Sequence, residues 1–320
     1  MTRSFERLLV TGGAGFIGSH LVDRLVADGH EVVALDDLSS GKRENVAASN
    51  SGGKARLVVA DVRDAGVVDR AFAEFKPDAV SHQAAQVSVS VSTREPERDA
   101  EINVLGSLNV IRAASKHGAK RIVFASTGGA IYGDIADGAA DLDRAPMPMS
   151  PYACSKFAVE GYLRWARADL GVACTILRYA NVYGPRQDPH GEAGVVAIFA
   201  ERVLAGQPVQ VNARRDEGDE GCVRDYVFVD DVVRTNARAI AGEIARPIAN
   251  VATGVATTTR ALLEGIERAS GEKAVWKPGP RRAGDVVRSV LVPTLDAMGS
   301  VTDLASGLAR TLDWFRARRG

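Results

Sequence analysis

The sequence predicts an α/β fold: a doubly wound parallel sheet followed by a smaller C-terminal α/β domain. Three observations predict it. Short apolar runs alternate with helical patterns from residue 7 to residue 177. A glycine-rich turn joins the first run to the first helix. The alternation stops after Arg178, where residues 181–194 are rich in Gly, Pro and polar groups. Strands that alternate with helices imply right-handed crossovers and a parallel sheet covered on both faces.

The elements follow in order. Arg7-Leu8-Leu9-Val10-Thr11 reads as the first strand, and Ile17 to Asp28 as the first helix, ending before Gly29. Glu31 to Asp36 is the second strand, Arg56 to Ala60 the third and Ala79 to His82 the fourth. Asp99 to His117 reads as one long helix stopped by Gly118. The run 121–125 is the next strand, followed by a helix from Tyr152 to Asp169 and a strand at Ala173 to Leu177. Beyond the break, Val195 to Ala205 is helical, and residues 212–221, charged and nearly free of apolar groups, read as a mobile surface loop. The expected division is a domain over 1–180, to which part of 226–253 returns, and a second over 181–320, with a cleft between them.

Composition excludes several classes. The chain has 320 residues, 46% of them hydrophobic, enough for a sizeable core. Lys plus Arg and Asp plus Glu both number 40, so charge gives no reason to expect nucleic acid or a membrane surface as partner. The first ten residues are too polar for a signal peptide, and no apolar run is long enough to span a bilayer. Three cysteines with no CxxC pair predict free thiols in a reducing cytoplasm. Five histidines without HxxxH spacing give no metal site.

Thr11-Gly12-Gly13-Ala14-Gly15-Phe16-Ile17-Gly18 contains both G-x-x-G-x-x-G and G-x-G-x-x-G. Glycines there allow a tight turn and close approach of backbone to a pyrophosphate, which the helix N-terminus then faces with free N–H groups. Asp36 ends the second strand, 18 residues beyond Gly18. That is near the ~20 expected of the acid that holds the adenosine ribose, and its charge favours NAD over a 2′-phosphorylated cofactor. The sheet is therefore expected to be Rossmann-type. Asp61-Val62 and His82-Gln83-Ala84-Ala85-Gln86 follow the third and fourth strands, where a dinucleotide would lie. His82 reads equally well as a packed strand-end histidine.

Tyr152-Ala153-Cys154-Ser155-Lys156 is a YxxxK motif, which a helix presents on one face. A lysine beside a tyrosine and the positive ring of a bound nicotinamide both favour the phenolate, so Tyr152 is expected to titrate below its ordinary value of about 10 and to exchange a proton with a hydroxyl. Upstream, Ser126 and Thr127 stand where the 121–125 strand should end.

TGGAGFIGSH, Asp36, HQAAQ, STGGAIYG, SPYACSK, LRYANVYGPRQ, GCVRDYVFVDD and PRRAGD occur in this order along almost the whole chain. In this it resembles the extended short-chain dehydrogenase/reductases, and within them most the bacterial UDP-glucose 4-epimerase group. The resemblance implies that Tyr152 is the catalytic base and acid, and that Lys156 tunes it and binds the nicotinamide ribose. It implies an NAD site of Gly12, Gly15, Phe16, Ile17, Gly18, Asp36, Asp37, Ser39, Ser40, Gly41, Asp61, Val62, Gln83, Ala84, Ala85, Gln86, Asn103, Ala125, Tyr152, Lys156 and Tyr179. It implies a UDP-sugar site of Gln86, Thr127, Tyr152, Asn181, Arg224, Arg282 and Asp285, in which the two arginines clamp the diphosphate. It also implies a homodimer formed by the helices near 100–117 and 153–169.

Relatives that dehydrate or decarboxylate the oxidised sugar carry an acid between the strand-end Thr and the downstream Tyr-Gly. Here Gly128-Gly129-Ala130-Ile131 fills that interval. The implied reaction is C4 epimerisation through a 4-keto sugar, with NAD regenerated each cycle. The alternatives are epimerisation of UDP-N-acetylhexosamine or UDP-glucuronate, a net sugar-nucleotide oxidoreductase, or a dinucleotide-sensing regulator. Counting back from Tyr132, the family hydroxyl falls on Gly128, so Thr127 and Ser126 both remain candidates, with Thr127 favoured. Counting from Asp285, the sugar-pocket gate falls near Ser289, small enough to admit an N-acetyl group.

Overall fold

The computed structural model describes residues 5–50, 52–190, 194–282 and 285–319. Residues 191–193 of the Gly/Pro-rich stretch, and Ala283 and Gly284 of the PRRAGD motif, lie outside the described residues. In chain order the first elements are β1 (Arg7–Thr11), α1 (Phe16–Ala27), β2 (Glu31–Asp36), α2 (Glu44–Asn50), β3 (Ala55–Val59), α3 (Ala65–Phe75) and β4 (Ala79–His82). Next come α4 (Val89–Arg94), α5 (Pro96–Ala100), a π-helical turn (Glu101–Leu105), α6 (Gly106–Lys116), β5 (Arg121–Thr127), α7 (Gly128–Ile131), α8 (Pro151–Asp169) and β6 (Ala173–Tyr179). Then follow β7 (Asn181–Tyr183), α9 (Val195–Leu204), β8 (Val209–Asn212), β9 (Val223–Arg224), β10 (Tyr226–Phe228), α10 (Val229–Ile240) and β11 (Ile248–Val251). The chain closes with β12 (Thr257–Thr258), α11 (Thr259–Ser270), β13 (Trp276–Gly279), β14 (Arg288–Ser289), α12 (Leu295–Met298) and α13 (Leu304–Ala317).

Two compact units divide the chain. The first comprises Met1–Thr127, Ser150–Arg178 and Val233–Ala249. The second comprises Gly128–Met149, Tyr179–Val232 and Asn250–Gly320. A seven-stranded sheet in the order β11-β6-β5-β4-β1-β2-β3 organises the first. The pairings across β5-β4-β1-β2-β3 are parallel. Both faces of the sheet are covered, so successive residues Leu8, Leu9 and Val10 are all buried. Leu9, Val33, Val80 and Ile122 of the strands meet Phe72, Val110, Ile111 and Leu163 of the helices in one core. The register pairs Thr11 with His82 and His82 with Phe124. The carboxyl ends of β1 and β4 are thus level, and β5 runs three residues past them. The carboxyl ends of such strands are where doubly wound sheets bind ligands.

The second unit is built from smaller pieces: the pairs β10-β7 and β13-β8 and the three-stranded β12-β9-β14. Among the described residues no helix is long and apolar enough to cross a membrane.

Three expectations are corrected. The helix expected over 99–117 starts at Pro96 and is interrupted by the π turn at Glu101–Leu105, an extra residue that apolar spacing does not signal. The strand expected to stop at Ala125 continues to Thr127, and Ser126 and Thr127 are buried like the residues before them. The 212–221 segment, expected to be mobile, is folded around Asp219. That carboxylate accepts the backbone N–H groups of Arg214 at 2.9 Å, Arg215 at 2.8 Å, Asp216 at 3.3 Å and Gly221 at 2.8 Å. Burial pushes the Asp219 carboxyl up, but these bonds together outweigh it and hold the group down at about 2.

Candidate active site

The glycine turn is shaped by contacts that leave no room for side chains. Gly12 has φ +65°, and a Cβ there would sit 2.7 Å from the Ala84 nitrogen. A Cβ on Gly18 would meet the Gly12 oxygen at 2.0 Å, so the first turn of α1 packs directly on the loop. Gly15 is different: it caps α1 with no side-chain hydrogen bond, and its hypothetical Cβ touches only the Gly12 oxygen, at 3.2 Å. No acid occupies the first turn. Phe16 and Ile17 thus open a helix whose first N–H groups no side chain caps, a terminus suited to an anion.

At the end of β2, Asp36 accepts Ala14 N–H and Leu38 N–H, both at 2.9 Å. Gly41 lies so close to the carboxylate that a Cβ would be 2.5 Å from Asp36 Oδ1. Burial pushes the Asp36 carboxyl above its ordinary value, against the pull of these amides. Asp37, Ser39 and Ser40 line the turn beside it, and Ser39 donates its N–H (2.9 Å) and hydroxyl (2.7 Å) to Asp37. Asp61 is held by Arg63, whose Nε donates at 2.9 Å, while Val62 turns inward against Gly106. The residues present therefore fit a dinucleotide: a bare helix N-terminus at Gly15 and a carboxylate at Asp36 with backbone donors fixing its direction.

His82 is resolved as a packed histidine. Thr11 Oγ1 lies 2.6 Å from His82 Nδ1, and Ser107 Oγ lies 2.9 Å from His82 Nε2. Ser107 donates to the Asn103 carbonyl, and Ala84 N–H donates to Thr11 Oγ1. The chain of bonds closes with the proton on Nε2. Burial first, and the Lys156 charge second, push this imidazole down to about 3, so it stays neutral. Next to it, Gln83 Nε2 donates to Asn236 Oδ1 at 3.0 Å. Ala84 and Ala85 are half-buried.

Ser150 caps α8 by accepting Ala153 N–H, and Pro151 follows in the first turn. Tyr152 and Lys156 then lie one turn apart. Lys156 Nζ donates to the Ala125 carbonyl at 2.9 Å and sits 4.8 Å above the Phe124 ring. Burial pushes Lys156 down to about 8, opposed by the Asp99 carboxylate. Thr127 faces the Tyr152 phenol and favours its ionised form. The lysine alone does not lower the phenol's pKa: the surrounding protein pushes the half-buried Tyr152 up to about 12, Thr127 pulls the other way, and Asp99 adds to the rise. Lys156 spends its hydrogen bond on Ala125 and does not offset desolvation of the phenolate.

Ser126 faces elsewhere. Its hydroxyl donates to Glu160 Oε1 at 2.6 Å, and Arg178 grips the same fully buried carboxylate through Nε at 2.9 Å and Nη2 at 2.6 Å. On the other flank, Asn103 and Gln86 exchange bonds: Gln86 N–H to Asn103 Oδ1, and Asn103 Nδ2 to the Gln86 carbonyl, both at 2.9 Å. Both side-chain amides also donate to Asp99. The four residues after Thr127 form α7, and Tyr132 behind it is buried with its hydroxyl on Asn250 Oδ1 at 3.2 Å.

In the second unit, Asp225 is the hub. It is buried and accepts the N–H and hydroxyl of Thr253 and the N–H of Gly254. Its carbonyl takes Asn181 N–H at 2.9 Å, one residue beyond Arg224 in the chain. Arg224 pairs in register with Ser289, which is 2% exposed. Arg282 is exposed, and with the Asn212 amide oriented to match, its Nε donates to Asn212 Oδ1 at 2.6 Å. Asp285 is half-buried, and Tyr179 ends β6 as a buried residue. Among the described residues no three His, Cys, Asp or Glu side chains are grouped to hold a metal.

The model of the NAD dependent epimerase/dehydratase family matches residues 8–252. The chain belongs to that family. It is 46% identical to the UDP-glucose 4-epimerase of Mycolicibacterium smegmatis over 314 residues, 97% of this chain and 98% of the relative. Its fold matches the crystal structure of the Thermus thermophilus UDP-glucose 4-epimerase complex with NAD, with a TM-score of 0.91 and 51% identity over 97% of this chain and 99% of that one. It also matches the Thermotoga maritima UDP-glucose 4-epimerase with UDP-glucose, with a TM-score of 0.89 and 42% identity over 98% and 100% of the two chains.

Sequence reading of this family member missed Asp99, Ser155, Glu160, Arg178 and Asp225. Each is a buried polar residue whose partners come from distant segments. The available signal was spacing: Asp99 and Asn103, and Lys156 and Glu160, are i,i+4 polar pairs on otherwise apolar helix faces.

Proposed function

We propose that this protein is an NAD-dependent UDP-hexose 4-epimerase that interconverts UDP-glucose and UDP-galactose. The observation that carries the reading is Tyr152 with Lys156 one turn on in α8, Lys156 tied to the end of β5 at Ala125, and an α7 after β5 that contains no acid. Bound NAD supplies the hydride acceptor and donor. Gly12, Gly15 and Gly18 hold its pyrophosphate at the N-terminus of α1, Asp36 takes the adenosine ribose, and Lys156 takes the nicotinamide ribose. Tyr152 removes the proton of the sugar C4 hydroxyl and later returns it. Thr127, facing the phenol, orients that hydroxyl. A phenol held near 12 is a poor base, and the positive charge of an oxidised nicotinamide is what favours its phenolate. Asn181, Arg224, Arg282 and Asp285 take the nucleotide diphosphate and ribose, where arginine forks suit phosphate oxygens. With only glycine and apolar residues in α7, no acid is available there to eliminate water or assist decarboxylation.

Exposed Leu105, Tyr162 and Trp165 support a homodimer formed through the π turn and α8. Three free thiols, Cys154, Cys174 and Cys222, support a cytoplasmic setting. A second reading, that UDP-N-acetylhexosamines are also accepted, is favoured by the small buried Ser289. The test is incubation with a panel of UDP- and dTDP-sugars without added NAD, resolving C4 epimers. Interconversion of UDP-glucose and UDP-galactose supports the assignment. One equivalent of oxidised sugar with released NADH refutes it.

A further inference from the structure

We propose that Asp99 is a positioning residue of this site, the buried counter-charge of the Lys156 ammonium and the shared anchor of Gln86, Asn103 and Ser155. The proposal rests on the roles given to Tyr152 and Lys156 above. Asp99 lies in α5, immediately before the π turn, and is fully buried. Its Oδ1 accepts Gln86 Nε2 at 2.8 Å and Asn103 Nδ2 at 2.9 Å, and its Oδ2 accepts the Ser155 hydroxyl at 2.6 Å. All three partners are donors, the arrangement an ionised carboxylate requires. Gln86 and Asn103 are candidate contacts for cofactor and sugar, and Ser155 precedes Lys156. One carboxylate therefore ties α5, the β4–α4 loop and α8 together around the reacting tyrosine.

The charges around Lys156 single out Asp99. From β4 it is faced by neutral His82, from β5 by the Phe124 ring and the Ala125 carbonyl, and from its own helix by Tyr152 and, one turn on, by Glu160, whose charge Arg178 already pairs. Asp99 is the group whose charge offsets burial at Lys156. The same negative charge opposes ionisation of Tyr152. Asp99 accordingly sets the pH range in which the pair works: it keeps the lysine charged and delays the phenolate.

Asp99→Asn isolates the charge. The amide oxygen still accepts from Gln86 and Asn103, and the amide nitrogen donates to Ser155 Oγ with that bond reversed. The 13Cε resonance of Lys156 in the NAD-saturated protein, assigned by its loss in Lys156→Arg, reports the titration directly. Its midpoint is expected to fall by about one pH unit or more in Asp99→Asn, and the pH optimum of turnover to move to lower pH with it. Ser155→Ala removes one hydrogen bond and should leave the midpoint in place. A second measurement needs no substitution: the Asp99 13Cγ shift in the unaltered protein should step at the Lys156 midpoint. An unmoved midpoint in folded Asp99→Asn, or no step at Asp99, overturns the proposal. The resonance measurements do not depend on turnover. Absence of epimerase activity in the unaltered protein would sink the functional reading alone, and an active enzyme with an unmoved midpoint would sink this inference alone.

Discussion

Ser126 and Thr127 are adjacent in β5 but serve opposite faces: Ser126 donates to Glu160 at 2.6 Å, while Thr127 faces the Tyr152 phenol. Alternation of side chains along a strand imposes this, and it applies because the strand continues to Thr127. The two hydroxyls therefore have separable consequences.

Thr127→Val should lower kcat by roughly 10- to 100-fold, with little change in stability, since it removes one partner of the proton-transferring group. Ser126→Ala should leave most turnover intact and cost about 1–3 kcal/mol, the usual range for a hydrogen bond to a charged, buried group. Steady-state kinetics and urea unfolding of both variants check the pair. Large loss of turnover in Ser126→Ala with none in Thr127→Val would reverse the assignment.

Tyr152→Phe should reduce turnover by about 10²- to 10⁴-fold, the range for loss of a general acid–base group, while NAD binding persists. Turnover and cofactor content measured on the same preparation check this. Intact turnover would remove Tyr152 from the mechanism.

Lys156 makes stability depend on pH. Its folded value of about 8 lies below its ordinary 10.5, so across that window the unfolded chain binds more protons than the folded one. The penalty of burying the charge is complete below about 8 and is relieved as pH rises toward 10.5. Denaturant unfolding followed from about 8 toward 10.5 should show a positive slope that Lys156→Met loses. Comparing the two proteins cancels groups common to both. An identical slope in the variant contradicts the burial argument.

Asp219→Ala should speed amide exchange at Arg214, Arg215, Asp216 and Gly221 by about tenfold, because four N–H groups lose one acceptor. Hydrogen exchange followed by mass spectrometry reads this directly. Unchanged exchange would return 212–221 to the loose loop its composition suggests.

That loop marks where sequence reading reaches its limit. Strands β1, β2 and β4, helix α1, Asp36, Tyr152 and Lys156 were legible because they obey local rules: apolar runs, a glycine turn with fixed geometry, and helical i,i+4 spacing. Asp219 was not, because a charged, apolar-free segment gives no sign that one carboxylate will collect the backbone around it. The lysine's share in the Tyr152 titration was overestimated for a related reason. Spacing places a lysine near the phenol but says nothing of how much water the fold removes from it, or that Ala125 will take the ammonium's bond. Glu160 and Arg178 are 18 residues apart on different elements, and their ion pair exists only once β6 lies beside α8. The family resemblance identified the chemistry from motif order, while the opposite facing of Thr127 and Ser126 became visible only at the strand end.

The most direct test of the central claim is the fate of the C4 hydrogen. Protein without added NAD is incubated with UDP-glucose carrying deuterium at C4, and the UDP-galactose formed is examined by mass spectrometry and NMR. Oxidation at C4 and return to the opposite face within one site predicts galactose with deuterium still at C4. Deuterium lost to solvent, or a released keto sugar with no epimer, would contradict the mechanism.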